Sequence, residues 1–161
     1  MLLAVFSDSH GNTENLRRAL DRWKPDSAVF LGDGVGDAEA AALEHPGLPF
    51  RILRGNCDWG ETGYDDSALF TLEGVRIFAA HGHRHGVKLG LDAFANSVYC
   101  AGAKLGLYGH THQPLCRWTD GLTLLNPGSI GYGLRPTFAL VTLKNGELDC
   151  EIVHIDDDNR G

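Results

Sequence analysis

Nine short apolar runs, rich in β-branched and aromatic residues, recur along the chain at 2–6, 28–31, 50–53, 68–72, 75–80, 105–108, 122–125, 137–143 and 148–155. Their length and composition predict strands. Between the first two, Asn12 stands before Leu16, Ala19, Leu20 and Trp23, and Pro25 follows. That is a capped stretch with helical periodicity, and its apolar stripe belongs to the core. A second helix is predicted over 37–44, closed by His45-Pro46-Gly47, and a third over 91–101 with Leu91, Phe94, Ala95, Val98 and Tyr99 on one face. Strands alternating with helices at the front of the chain imply parallel βαβ units. Farther on, the turns Glu73-Gly74 and Asn145-Gly146 join neighbouring strands directly, so an antiparallel portion is added. No repeat, low-complexity stretch or linker interrupts the pattern. The expectation is one domain over 1–155 followed by an acidic, solvated tail at 156–161.

Composition narrows the class. With 161 residues, 43% hydrophobic and 22% charged, the chain is an ordinary globular sequence of the α/β class. Its net charge of −7 argues against a stable nucleic-acid complex or an anionic membrane partner. No run approaches the roughly 18 apolar residues of a membrane span, and residues 2–6 make no signal peptide because Asp8 ends them, so a cytoplasmic location is expected. The four cysteines, Cys57, Cys100, Cys116 and Cys150, form no CxxC pair and are read as reduced thiols. Two counts stand out: 21 glycines and 8 histidines.

The histidines gain meaning from where the runs stop. The strand at 2–6 leads into Asp8-Ser9-His10, 28–31 into Gly32-Asp33, 50–53 into Gly55-Asn56-Cys57-Asp58, 75–80 into His81-Gly82-His83, and 105–108 into Gly109-His110-Thr111-His112. Carboxyl ends of parallel strands open into one crevice, so groups distant in sequence converge there. Two Asp, one Asn and four His form a mixed oxygen and nitrogen donor set without a thiolate cluster. Such a set disfavours a closed structural zinc site. Seven donors are too many for one catalytic ion and suit two that share a carboxylate.

In this order, these five motifs closely resemble the calcineurin-like metallophosphoesterase superfamily. Gly-Asn-Cys-Asp and the downstream Asn126-Pro127-Gly128-Ser129 resemble its small prokaryotic, YfcE-type phosphodiesterase branch. The resemblance runs from about residue 1 to 155. It implies a four-layer α/β/β/α sandwich of two mixed sheets, the metallo-dependent phosphatase-like fold, with the metals at one edge. It also implies that Asp8, His10 and His112 hold one divalent ion, that Asn56, His81 and His110 hold another, and that Asp33 bridges them. Manganese is the first choice, with iron, nickel, cobalt and zinc admitted by the same ligands. The two ions would clamp a phosphate and acidify a bridging water, whose hydroxide attacks phosphorus in line.

Many superfamily members carry His where this chain has Cys57, and a thiol is a poor proton donor to a leaving alkoxide. Cys57 is read as a small packing residue, His83 as the general acid, and Asp58 as a group orienting His10 or another ligand. His85 is expected in solvent or against substrate, Arg84 exposed, and Asn126-Pro127-Gly128-Ser129 as a supporting turn. Trp59 is read as packing or as a wall of the substrate pocket, in a lid-like loop running to Ser67. The expected function is hydrolysis of phosphodiesters of a small or nucleotide-like substrate. The alternatives are a phosphomonoesterase of the same fold, and a protein-binding scaffold of the kind a retromer subunit makes of it. A repair nuclease is disfavoured by the absence of a basic stripe. A homo-oligomer is compatible with all of these.

Overall fold

A computed structural model of the chain describes residues 1–157. The first half lays down β1 (Leu2–Phe6), α1 (Thr13–Trp23), β2 (Ser27–Phe30), α2 (Val35–Glu44) and β3 (Phe50–Ile52). Then follow β4 (Ser67–Leu72), β5 (Val75–Ala80), α3 (Asp92–Cys100), β6 (Leu105–Leu107), β7 (Leu115–Thr119), β8 (Leu122–Asn126), β9 (Thr137–Lys144) and β10 (Glu147–His154). One sheet runs β10-β9-β1-β2-β3 and the other β4-β5-β6-β8-β7. Both are mixed. In the first, β1, β2 and β3 are parallel, and β9 runs antiparallel to its neighbours β1 and β10; in the second, β5, β6 and β8 are parallel, with antiparallel β4 and β7 at the edges.

The layering follows from the two-residue period of a strand. Along β1, Leu3 and Val5 face the second sheet, meeting Val75, Ile77, Leu105 and Leu107 in an inter-sheet core, while Ala4 and Phe6 face the helices. There Leu16, Ala19 and Leu20 of α1 and Ala38 and Ala41 of α2 cover them. On the far side Phe94 and Val98 of α3 cover Ala80, Tyr108 and Leu124. The order α/β/β/α matches the expectation, and strands buried on both faces explain why runs such as 2–6 are continuously apolar.

Some expectations change. Strand β7 was not foreseen: most of its residues are exposed, as an edge strand allows, so it carries no apolar run. Tyr99, placed on the apolar face of α3, is instead 71% exposed. Cys116 of β7 and Cys150 of β10 form a disulfide, correcting the reading of reduced thiols; Cys57 and Cys100 are free. The two bonded cysteines sit on edge strands of different sheets, a proximity that their sequence separation of 34 conceals. At the tail, Asp156 pairs with Arg18 at 3.0 Å and Asp157 with Arg135 at 3.1 Å, so these two are anchored. The rest of the predicted acidic tail, 158–161, lies outside the described residues. Among the described residues no helix is long and apolar enough to cross a membrane.

Candidate metal centre

The loops leaving β1, β2, β3, β5 and β6 converge at one end of the sandwich, and the candidate donors meet there. Asp8, Asp33 and His81 are buried and form a floor; His110 and His112 are half-buried above it, and His10 and Asn56 lie at the rim. Donor atoms of Asp8, His10 and His112 lie within 4.8 Å of one another, and so do those of Asp33, His81 and His110. Asp33 belongs to both neighbourhoods, with Oδ2 3.3 Å from His81 Nε2 and 3.9 Å from His10 Nε2. Asn56 Oδ1 is 3.0 Å from His81 Nε2.

The backbone is bent to achieve this. Asp8, His10, Asp33, His110 and His112 all have positive φ, between 44° and 67°. Left-handed backbone is uncommon outside glycine, though Asp and His tolerate it best, and it persists only where surrounding contacts enforce it. Those contacts come from afar. The Asp8 amide donates to the Gly32 carbonyl at 3.0 Å and the His10 amide to the Asp33 carbonyl at 3.2 Å, tying the β1 loop to the β2 loop. Asp37 of α2 accepts from Ser9 Oγ at 2.6 Å, from the Gly11 amide at 2.8 Å and from Thr13 Oγ1 at 2.9 Å. Ser129 Oγ donates to the Asp8 carbonyl at 2.7 Å, placing the Asn126–Ser129 turn beneath the site.

Of the two alternatives expected for Asp58, His10 or another ligand, the hydrogen bonds select the second, Asp33. The Asp58 carboxylate accepts the amides of Asp33, Gly34, Val35 and Gly55 at 2.7 to 3.0 Å. It therefore caps α2 and holds the peptide carrying Asp33, with its hydrogen bonds going to backbone and not to His10. Gly55 is required beside it: a Cβ there would fall 2.2 Å from Asp33 Oδ1.

Electrostatics favour a cation on the floor. Burial alone would raise the Asp33 carboxyl, but the hydrogen bond and charge of His81, with the Cys57 amide, hold it below the usual carboxylate range. Burial opposes protonation of His81, yet the bond to Asp33 and the charges of Asp8 and Asp33 leave its imidazole raised. His81 Nδ1 donates to the Leu31 carbonyl at 2.8 Å, which turns Nε2 toward Asp33 and Asn56. Burial pushes His110 down to about 4, with the charges of His81 and Lys88 adding to the effect, so its ring is neutral at pH 7 and has a free lone pair. The His10 and His112 Nε2 atoms face each other at 3.3 Å. Converging imidazole nitrogens above two buried carboxylates are a donor set that fits divalent metal.

His83 opens a single 3₁₀ turn, His83–His85, with its ring centroid 5.4 Å from that of His81 and 6.1 Å from that of His110. Burial, followed by the charges of His81 and Arg84, lowers its pKa. Cys57 is exposed at the site and not a packing residue; partial desolvation and the charge of Asp33 push its thiol above the usual thiol range. His85 is not in solvent but packs on Phe94 and Phe78, and Arg84 pairs with Asp66 at 2.9 Å. Trp59 is exposed, and its loop is tied down by Arg54 to Asp66 and by Tyr64 to Glu39. The supporting turn that carries Ser129 stands where sequence reasoning put it, but that reasoning missed Asp37 and Tyr132, whose ring lies 5.4 Å from those of both His10 and His112. No local pattern marks either of these two.

Known proteins share the sequence pattern and the fold. Residues 1–146 match the model of the calcineurin-like phosphoesterase superfamily domain. The chain is 33% identical over 152 residues to the probable metallophosphoesterase YsnB of Bacillus subtilis, covering 90% of this chain and 86% of that protein. It is 28% identical over 156 residues to phosphodiesterase YfcE of Escherichia coli, covering 81% and 79%. A predicted phosphoesterase of known structure from Streptococcus pneumoniae superposes with a TM-score of 0.82 at 25% identity, over 96% of this chain and 90% of that one.

Proposed function

The chain belongs to the calcineurin-like phosphoesterase superfamily, with YfcE-type relatives, and on that premise we propose that it is a binuclear, metal-dependent phosphodiesterase acting on a small or nucleotide-like ester. The observation that carries this reading is Asp33, whose carboxylate stands between the Asp8–His10–His112 cluster and the His81–His110–Asn56 cluster. Asp8, His10 and His112 would hold one cation, Asn56, His81 and His110 the other, and Asp33 would touch both. Manganese is the first candidate, with iron, nickel, cobalt and zinc as alternatives. Bound there, two divalent cations supply neutralisation of the phosphoester's charge and an acidified water as nucleophile.

The chain's own groups do the rest. Asn56 contributes an oxygen without cancelling positive charge. The Leu31 carbonyl fixes which nitrogen of His81 faces the site, and Asp58 holds the Asp33 peptide. His83, beside the second cluster, donates a proton to the leaving oxygen; a phosphoester's negative charge favours the protonated imidazole that burial disfavours.

The decisive experiment is a manganese-reconstituted screen of phosphodiesters, cyclic nucleotides included, against phosphomonoesters, run on wild type and His83→Ala. Diester turnover that chelator abolishes is expected, and His83→Ala should lose about a hundredfold on esters with poor leaving groups and little on good ones. Turnover of monoesters alone would overturn the diesterase assignment. Equal activity of the two proteins on poor leaving groups would remove His83 from its role. Absence of both bound metal and hydrolysis would point to a protein-binding scaffold.

A further inference from the structure

Tyr132 stands against the first donor cluster. Its ring centroid is 5.4 Å from the His10 ring at an interplanar angle of 73°, and 5.4 Å from the His112 ring at 47°. Even so, 62% of the residue is exposed. Aromatic side chains bring about 150–250 Å² of contact area to cores and interfaces, so this ring leaves most of its capacity unused.

The backbone beneath it is held firmly. The Tyr132 amide donates to Ser129 Oγ at 2.8 Å, and the same hydroxyl donates to the Asp8 carbonyl at 2.7 Å. The Ile130 amide donates to the Ser7 carbonyl at 3.1 Å, and Asn15 Nδ2 donates to the Ile130 carbonyl at 2.8 Å. Gly131 lies so close to the β1 loop that a Cβ would fall 1.8 Å from the Ser9 carbonyl oxygen. A clamped backbone, an open ring and two candidate ligands alongside make a preorganised aromatic surface at the edge of the centre. Such surfaces bind planar rings by stacking, at low entropic cost because the ring is already placed.

We propose that Tyr132 is the stacking platform for an aromatic group carried by the phosphoester, an aryl ester or a nucleotide base. This rests on the proposed function and adds the class of substrate. The ring, not the hydroxyl, is the working part.

The test is calorimetric binding of non-hydrolysable phosphonates to manganese-loaded wild type, Tyr132→Phe and Tyr132→Ala, with metal content measured in each. Wild type and Tyr132→Phe should bind phenylphosphonate or adenosine phosphonate at least about tenfold more tightly than methylphosphonate. Tyr132→Ala should lose that preference while keeping its metal and its affinity for methylphosphonate. Tighter binding of the adenosine compound assigns a nucleobase, and of the phenyl compound an aryl ester. An unchanged preference in Tyr132→Ala overturns the proposal. Equal weakening of all the phosphonates together with loss of manganese overturns it too, because Tyr132 would then only position His10 and His112. Binding does not depend on turnover, so an intact, Tyr132-dependent preference in a protein that hydrolyses no ester would remove the phosphodiesterase reading and leave the aromatic subsite standing.

Discussion

Left-handed backbone gathers at both ends of the sandwich, and the two ends use it differently. At the end away from the site, Glu73, Asp120 and Asn145 have φ of 48°, 48° and 51°, and Gly74, Gly121 and Gly146 follow at 79°, 78° and 80°. Each pair closes a two-residue hairpin, where consecutive positive φ values match the twist of the flanking strands. The side chains are exposed, and the conformation is settled by neighbours in sequence. At the other end, Asp8, His10, Asp33, His110 and His112 adopt the same φ with no hairpin to turn. Asp8 and Asp33 are buried, and the backbone is held by groups 23 or more residues away, such as Gly32 for Asp8, Asp33 for His10 and Asp58 for Asp33. Left-handed strain of about 1–3 kcal/mol per residue serves chain reversal at one end and the aim of donor atoms at the other.

The comparison can be broken most sharply at Asp58. Asp58→Ala leaves four backbone amides without their acceptor and uncaps α2. Manganese affinity should fall about 10–100-fold in a calorimetric titration, with a lower melting temperature. Unchanged affinity would mean that the Asp33 peptide is held without it. Next in size is Gly55→Ala, whose Cβ would collide with Asp33 Oδ1 and, at 2.7 Å, with the Asp33 amide nitrogen. Urea unfolding should show a loss of about 1–3 kcal/mol, and metal binding should weaken with it. Wild-type behaviour on both counts would show that the β2 and β3 loops need no such close approach. The smallest effect belongs to the hairpin end. Around Gly121 a Cβ would meet nothing within 4 Å, so Gly121→Ala carries only the strain of φ +78°. It should cost about 1 kcal/mol and leave hydrolysis unchanged; a drop in turnover would show that the two ends are coupled.

Legibility in the sequence tracked how local each feature is. The N-cap of α1 was readable because Asn12 Oδ1 accepts the Asn15 amide only three residues on. The strands between the two sheets were readable because burial on both faces produces continuous apolar runs. Strand β7 was not, since an exposed edge demands no such run. His85 was misplaced because its spacing from His83 says nothing of Phe78 and Phe94, which enclose it. Asp58 was singled out as orienting His10 or another ligand, but which one was not legible, since its carboxylate reaches the backbone of another loop 23 to 25 residues away.

By itself, the sequence determined that donor-type residues stand at the ends of five strands, because strand length and the residue that follows a strand are adjacent features of one chain. Tertiary structure alone decided that Asp58 grips the peptide of Asp33 and not an imidazole, that Cys116 meets Cys150, and that Tyr132 faces two histidines. Each of these is a contact between segments brought together by sheet order and layer packing. Contacts of that kind depend on how the whole chain closes, and no local spacing encodes them.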